Sequence, residues 1–130
     1  MNERNDLIHY RRSRAKETLD DARILIGSKR FSSAVNRIYY ALFYEVTALL
    51  LSKGLSSAKH SGIKALFNEH FVRPKLISNE TGKFFSVMFD FRQMSDYGDF
   101  INFEEEKVAE WLNNAGHCID EIEVLIEKDK

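Results

Sequence analysis

Cysteine, proline and glycine are scarce in this chain, and each scarcity removes a class of protein. Cys118 is the only cysteine, which excludes an internal disulfide and leaves no cysteine pair for a structural zinc site. A reducing cytoplasm is the natural setting. Six glycines and one proline, Pro74, are spread over 130 residues, and they form neither a glycine-rich phosphate loop nor a Gly-x-Ser-x-Gly elbow. Net charge is nearly absent as well: the formal value is -1, so the chain lacks the whole-molecule field of a general nucleic-acid binder. Long apolar runs are missing too. The longest, around residues 38–51, is broken by Glu45 and falls short of the roughly 18 residues that a membrane span needs. The first residues, MNERNDLIHYRR, have no apolar core of a secretory signal. These absences predict a soluble cytoplasmic protein without a membrane segment.

What is present fits one compact domain over residues 1–130, with 44% hydrophobic residues to fill a core. Charge is uneven along it: residues 1–30 carry eight Lys or Arg against five acids, and residues 96–130 carry eleven acids against three bases. Any basic surface is local.

Apolar residues recur with helical spacing almost throughout. Ile8, Ala15, Leu19, Ala22 and Ile26 form one stripe between Asn5 and about Ser28, with Gly27 and Lys29-Arg30 suited to its end. Ser32 or Ser33 is placed to cap a second helix that reaches Lys53, where Gly54 stops it. That helix is apolar on two sides, through Val35, Ile38, Tyr39, Leu42, Val46 and Leu49 and through Ala34, Ala41 and Ala48, as befits the middle of a bundle. Residues 57–71 read as a third helix with Ile63, Leu66, Phe67 and His70 on one side. A fourth opens at Ser78 or Asn79, is crowded with Phe84, Phe85, Met88, Phe89 and Phe91, and closes at Gly98. Asn102 and Glu105 have capping-box spacing ahead of a last helix carrying Val108, Leu112, Ala115, Ile119, Ile122 and Ile126. The prediction is an all-α, up-and-down bundle of four to five helices.

Four histidines, His9, His60, His70 and His117, stand on different segments without metal-ligand spacing, so neither metal nor cofactor is expected. The chemistry-bearing stretch is FDFRQMSDYGDF, residues 89–100. Asp96 lies four residues after Arg92, and an intrahelical ion pair accounts for both. Alternatively the carboxylate fixes a guanidinium fork that is offered to a phosphate. Arg37, Tyr40 and Tyr44 line one side of the second helix at i, i+3 and i+7, either as half-buried packing with hydrogen-bonded tips or as ligand contacts.

The order FSSAVNRIYYALFYEVTALLL, AKHSGIKALFNEHFV, FRQMSDYGDF and a long amphipathic last helix resembles the HEPN family of small prokaryotic helical proteins. The likeness is to the branch with an Arg-x-x-x-Asp-Tyr element, and it spans about residues 10–125. The resemblance implies a HEPN-like bundle that homodimerises and is often encoded beside a minimal nucleotidyltransferase, many such pairs behaving as toxin and antitoxin. Nuclease members cleave RNA without metal, using an Arg followed after four to six residues by a His. The 2′-hydroxyl attacks the adjacent phosphate, the His handles protons and the Arg steadies the developing charge.

Here Arg92 matches the family arginine, but Tyr97 stands five residues on, followed by Gly98 and Asp99. A phenol with a pKa of about 10 is ionised in roughly one molecule per thousand at pH 7, and restoring that fraction needs about 4 kcal/mol. Five residues of intact helix also turn Tyr97 about 140° from Arg92. Two functions follow from the resemblance. One is an interaction module, dimeric and bound to a minimal nucleotidyltransferase, with Arg92, Asp96 and Tyr97 as a nucleotide-contacting patch and Tyr97 as a nucleotidyl acceptor. The other is a ribonuclease in which Arg92 clamps RNA phosphate and Tyr97, Asp96 or His60 completes the site, His60 having a packing or capping role as its alternative.

Overall fold

A computed structural model describes residues 2–97 and 102–128, with side chains for 2–94 and 102–128. Five α-helices account for most of them: α1 Glu3–Gly27, α2 Phe31–Ser52, α3 His60–Phe67, α4 Asn79–Tyr97 and α5 Glu105–Lys128, with a π-helical turn at Asn68–Val72. No strand occurs among the described residues, and none of the helices is long and apolar enough to cross a membrane. The all-α bundle expected from periodicity is the fold.

α2 is the central element, packing against α1, α3, α4 and α5. Its two apolar faces explain why: Val35, Ile38, Leu42 and Val46 are buried, and so are Ala34, Ala41 and Ala48 on the other side. The alanines let neighbouring backbones come close, while the branched residues fill the remaining space.

Helix ends depart from the sequence reading in instructive ways. α1 begins earlier, because Asn2 Oδ1 accepts from the Asn5 N–H at 2.8 Å and caps it. It ends through Lys29, which takes a left-handed φ of 59°, while the Lys29 and Arg30 amides donate back to Ile26 and Leu25 at 2.9 and 2.8 Å. This Schellman-type closure leads straight into α2 at Phe31, whose flanking Arg30 makes no side-chain cap. Ser32 and Ser33 therefore lie inside the first turn and are not caps. Gly54 ends α2 with φ 74° as predicted.

The third segment is a short helix followed by a π turn, closed by the Arg73 N–H donating to the Asn68 carbonyl at 2.8 Å. The wider turn shifts the register, so Phe71 is buried and His70 is exposed, reversing the predicted placement of His70 on the apolar side. Asn102 likewise does not cap α5. The helix starts at Glu105, and just ahead of it Phe103 is anchored between Phe91 and Trp111 with ring centroids 6.0 Å away in each case. Gly98, the predicted close of α4, lies outside the described residues.

Candidate functional site

Tyr39 organises the site. It sits in the middle of the buried face of α2, fully buried, with its ring parallel to Phe85 at 5.9 Å and edge-on to Phe89 at 6.0 Å. A phenol buried this deeply needs a partner for its hydroxyl. His60, the first residue of α3, supplies it: Tyr39 Oη and His60 Nδ1 are 2.9 Å apart. The imidazole is held flat by Phe43, stacked at 4.2 Å and 12°. Tyr39 and Phe43 thus fix the pose of one histidine.

Arg92 reaches the same place from α4. Its guanidinium lies 5.6 Å from the Tyr39 ring centroid and 5.8 Å from that of Tyr40, and the His60 ring is 5.8 Å from both. Arg37 covers Tyr40 at 5.1 Å and donates from Nε and Nη2 to Asn36 Oδ1 at 3.1 and 2.7 Å. Arg92, His60 and Tyr40 are each half-buried, so the cluster borders on solvent above a dry floor. Cation–aromatic contacts at this spacing are attractive, and more so when partly desolvated.

The electrostatics set the proton inventory. Burial lowers the His60 pKa below its ordinary value, and the Arg92 charge lowers it further; both disfavour imidazolium. Burial drives the Tyr39 phenol well above its usual range, with Arg92 offsetting only part. The site at neutral pH is therefore one fixed cation, one neutral imidazole and one neutral phenol. The Tyr39 hydroxyl can donate to Nδ1 or accept from it, so it serves either tautomer of His60 without ionising.

Of the residues singled out in the sequence, Arg92 and His60 converge. Asp96 and Tyr97 do not enter this description: α4 continues through Tyr97, but both side chains lie outside the described residues. His9, His70 and His117 are exposed and stand on different elements. Among the described residues no three His, Cys, Asp or Glu side chains gather as metal ligands. Tyr39 was legible only as a core residue; its role as the link between Arg92 and His60 depends on a contact 21 residues away in sequence.

A second polar feature lies further along α2. Glu45 is completely buried and faces Glu123 of α5, which is bound by Arg12 Nε at 2.8 Å and Lys16 Nζ at 3.2 Å. Burial, then the hydrogen bond to Glu123, push Glu45 far above the carboxylate range. Burial pushes Glu123 up as well, but hydrogen bonds from Glu45, Arg12 and Lys16 outweigh it and bring Glu123 below that range. The pair shares one proton, held on Glu45. In the sequence Glu45 looked like a mere interruption of an apolar run.

Comparison with known proteins finds relatives along most of the chain. The model of the HEPN domain matches residues 8–125. A "UPF0332 protein" of Thermotoga maritima is 54% identical over 98% of this chain and 96% of its own. Two proteins of Methanocaldococcus jannaschii, each named "Putative toxin", are 35% identical over 80% of this chain and 70% of their own length, and 34% identical over 89% and 81%.

Proposed function

The chain belongs to the HEPN family, and from that premise we propose that it is a toxin-type, metal-independent ribonuclease whose Arg92 and His60 act on one phosphodiester. The observation that carries this reading is the meeting of Arg92 and His60 around Tyr39 and Tyr40. His60 stands in for the histidine that the Arg92 segment lacks, brought in by the fold from α3. A neutral imidazole beside a fixed guanidinium is the pairing that transesterification needs.

In this reaction the 2′-oxygen forms a bond to phosphorus while the bond to the 5′-oxygen breaks. The 2′-hydroxyl proton passes to His60 Nε2, and the resulting imidazolium returns it to the departing 5′-oxygen, leaving a 2′,3′-cyclic phosphate and a 5′-hydroxyl. Arg92 holds the non-bridging oxygens as their charge grows. Tyr39 is a positioning residue that anchors Nδ1 in both protonation states.

The reading is tested by incubating purified protein with unstructured RNA and following cyclic-phosphate ends. Arg92→Ala and His60→Ala each lower kcat by about 10²- to 10⁴-fold; cleavage that survives Arg92→Ala means the activity is not this protein's. The Arg92, Asp96, Tyr97 pattern also motivates a homodimer regulated by a minimal nucleotidyltransferase partner, with Tyr97 as the acceptor, and the toxin names of the two Methanocaldococcus relatives fit the toxin side of such a pair. Mass spectrometry after co-expression with such an enzyme gives one nucleotidyl adduct on Tyr97 if this holds, and an unmodified tyrosine if it does not.

A further inference from the structure

The reaction described above uses Arg92, His60 and Tyr39 and leaves a row of side chains beside them unexplained. Arg37 covers Tyr40 at 5.1 Å, Tyr40 and Tyr44 lie 6.5 Å apart, and Arg14 of α1 covers Tyr44 at 5.3 Å. Arg92 stands at the other end, 5.8 Å from Tyr40. Guanidinium groups and phenol rings thus form one continuous row across α4, α2 and α1. Tyr40, Tyr44, Arg37 and Arg14 are all half-exposed, which core packing alone does not require.

The charges on this row are available to a ligand. Arg37 is held by the neutral Asn36 oxygen, and no carboxylate pairs with it among the described residues. Arg14 does have a carboxylate, Glu17 at 3.2 Å, one turn away on α1. That pair is solvent-facing and adjacent on the helix, the kind worth only a few tenths of a kcal/mol, so a phosphate can displace it. The local basicity contrasts with a chain whose net charge is -1.

We infer that this row, Arg37, Tyr40, Tyr44 and Arg14, is a binding track for an unpaired RNA strand that continues from the phosphodiester held at Arg92. The inference rests on the ribonuclease reading for its starting point, and it adds the form of the substrate. Planar cations flanking a pair of rings supply both kinds of contact that a strand of phosphates and bases needs: the guanidiniums take phosphates or present a flat face to a base, and the rings stack. The 6.5 Å between Tyr40 and Tyr44 is about twice the 3.4 Å step of a stacked nucleic-acid helix. Neighbouring bases must then be splayed, as single strands allow and duplexes do not. Rings tilted by 48° to each other fit separate bases and not one continuous stack.

Two substrates of different length test the track. With a 12-nucleotide unstructured RNA, Tyr44→Ala combined with Arg14→Ala raises KM about tenfold or more at unchanged kcat; with a dinucleoside monophosphate, too short to reach Tyr44, kcat/KM stays at the wild-type value. Equal losses on both substrates, or on neither, overturn the track while leaving the ribonuclease reading standing. If no cleavage is found, fluorescence anisotropy on the same 12-mer and on its duplex decides separately. Single-strand preference that disappears in the double variant, with a salt slope smaller by about 0.7 for each lost phosphate contact, upholds the track without the reaction. Duplex bound as tightly as single strand, or no binding of either, overturns it. Circular dichroism establishes that the variant is folded; should it fail, Tyr44→Leu and Arg14→Gln, which preserve helix propensity and bulk, give the same readings.

Discussion

His60 is the residue on which the proposed chemistry turns, and its surroundings make a measurable statement. Burial and the Arg92 charge both disfavour its imidazolium, so its ring protons, followed by NMR, titrate below the ordinary midpoint of about 6.5. Replacing Arg92 with Gln removes the second cause and moves the midpoint upward. A midpoint unmoved by that change means that the two side chains do not share a site. Glu45 offers the opposite sign. Its folded pKa is raised, so the stability it contributes is present below its unfolded value, about 4.5, and declines as pH rises toward the folded one. The native state then holds one proton more than the unfolded chain, and stability falls by about 1.4 kcal/mol per pH unit from this group alone. Glu45→Gln keeps a hydrogen-bonding amide without the titration. Denaturant melts from pH 5 to 8 show the variant gaining on the wild type by that slope, whereas parallel curves dismiss the shared proton. Neither effect could be read in the sequence beforehand. Arg92 and His60 were visible as candidates, but what pairs them is Tyr39, and what pairs Glu45 with Glu123 is a contact across 78 residues of chain.

At the scale of elements, the π turn and α4 fit together through a missing side chain. A Cβ on Gly82 would stand 2.7 and 2.8 Å from the two methyl carbons of Val72, closer than packed carbons come. Gly82→Ala costs about 1–3 kcal/mol through overpacking, seen as a lower urea midpoint, and adding Val72→Ala recovers much of it. Failure of the second change to help means that the cost lies elsewhere. The start of α4 is tied to α5: Glu121 accepts from the Ser78 N–H at 2.7 Å, from the Ser78 hydroxyl at 3.1 Å and from the Thr81 hydroxyl at 2.7 Å. Glu121→Ala leaves the Ser78 N–H and hydroxyl short of an acceptor, with Cys118 Sγ still 3.3 Å from the Thr81 hydroxyl, and destabilises by about 1–3 kcal/mol; a loss below about 0.5 kcal/mol would show water replacing the carboxylate. Ser78 as the start of α4 was legible, because local caps are written in local residues. The π turn was not, since its extra residue leaves the apolar spacing of Ile63 and Phe67 untouched and moves only Phe71 and His70. The end of α1 misled for a different reason: Lys29 and not Gly27 takes the left-handed turn, a strain that the hydrogen bonds of Lys29 and Arg30 offset.

For the whole molecule, the fold was legible because each helix carries its own apolar period, and α2 carries two. The arrangement of site residues was not, because it depends on which helices touch. The proposal of a homodimer belongs to this scale as well. Light scattering at micromolar concentration gives twice the chain mass of 15.2 kDa if it is right; a strict monomer confines the site to residues of one chain. α2 alone packs on all four other helices, and it carries Tyr39 and Glu45 on either side of its midpoint and Leu49 and Leu50, both fully buried, near its C-terminal end. Its buried turns cannot open while their neighbours stay in place, so their amides exchange with deuterium only when the entire chain opens. On the proposed reading, an RNA held at Tyr40 and Arg92 slows exchange at Leu49 and Leu50, about 14 Å further along the rod, and occupancy can be read from a stretch of backbone that the ligand never touches.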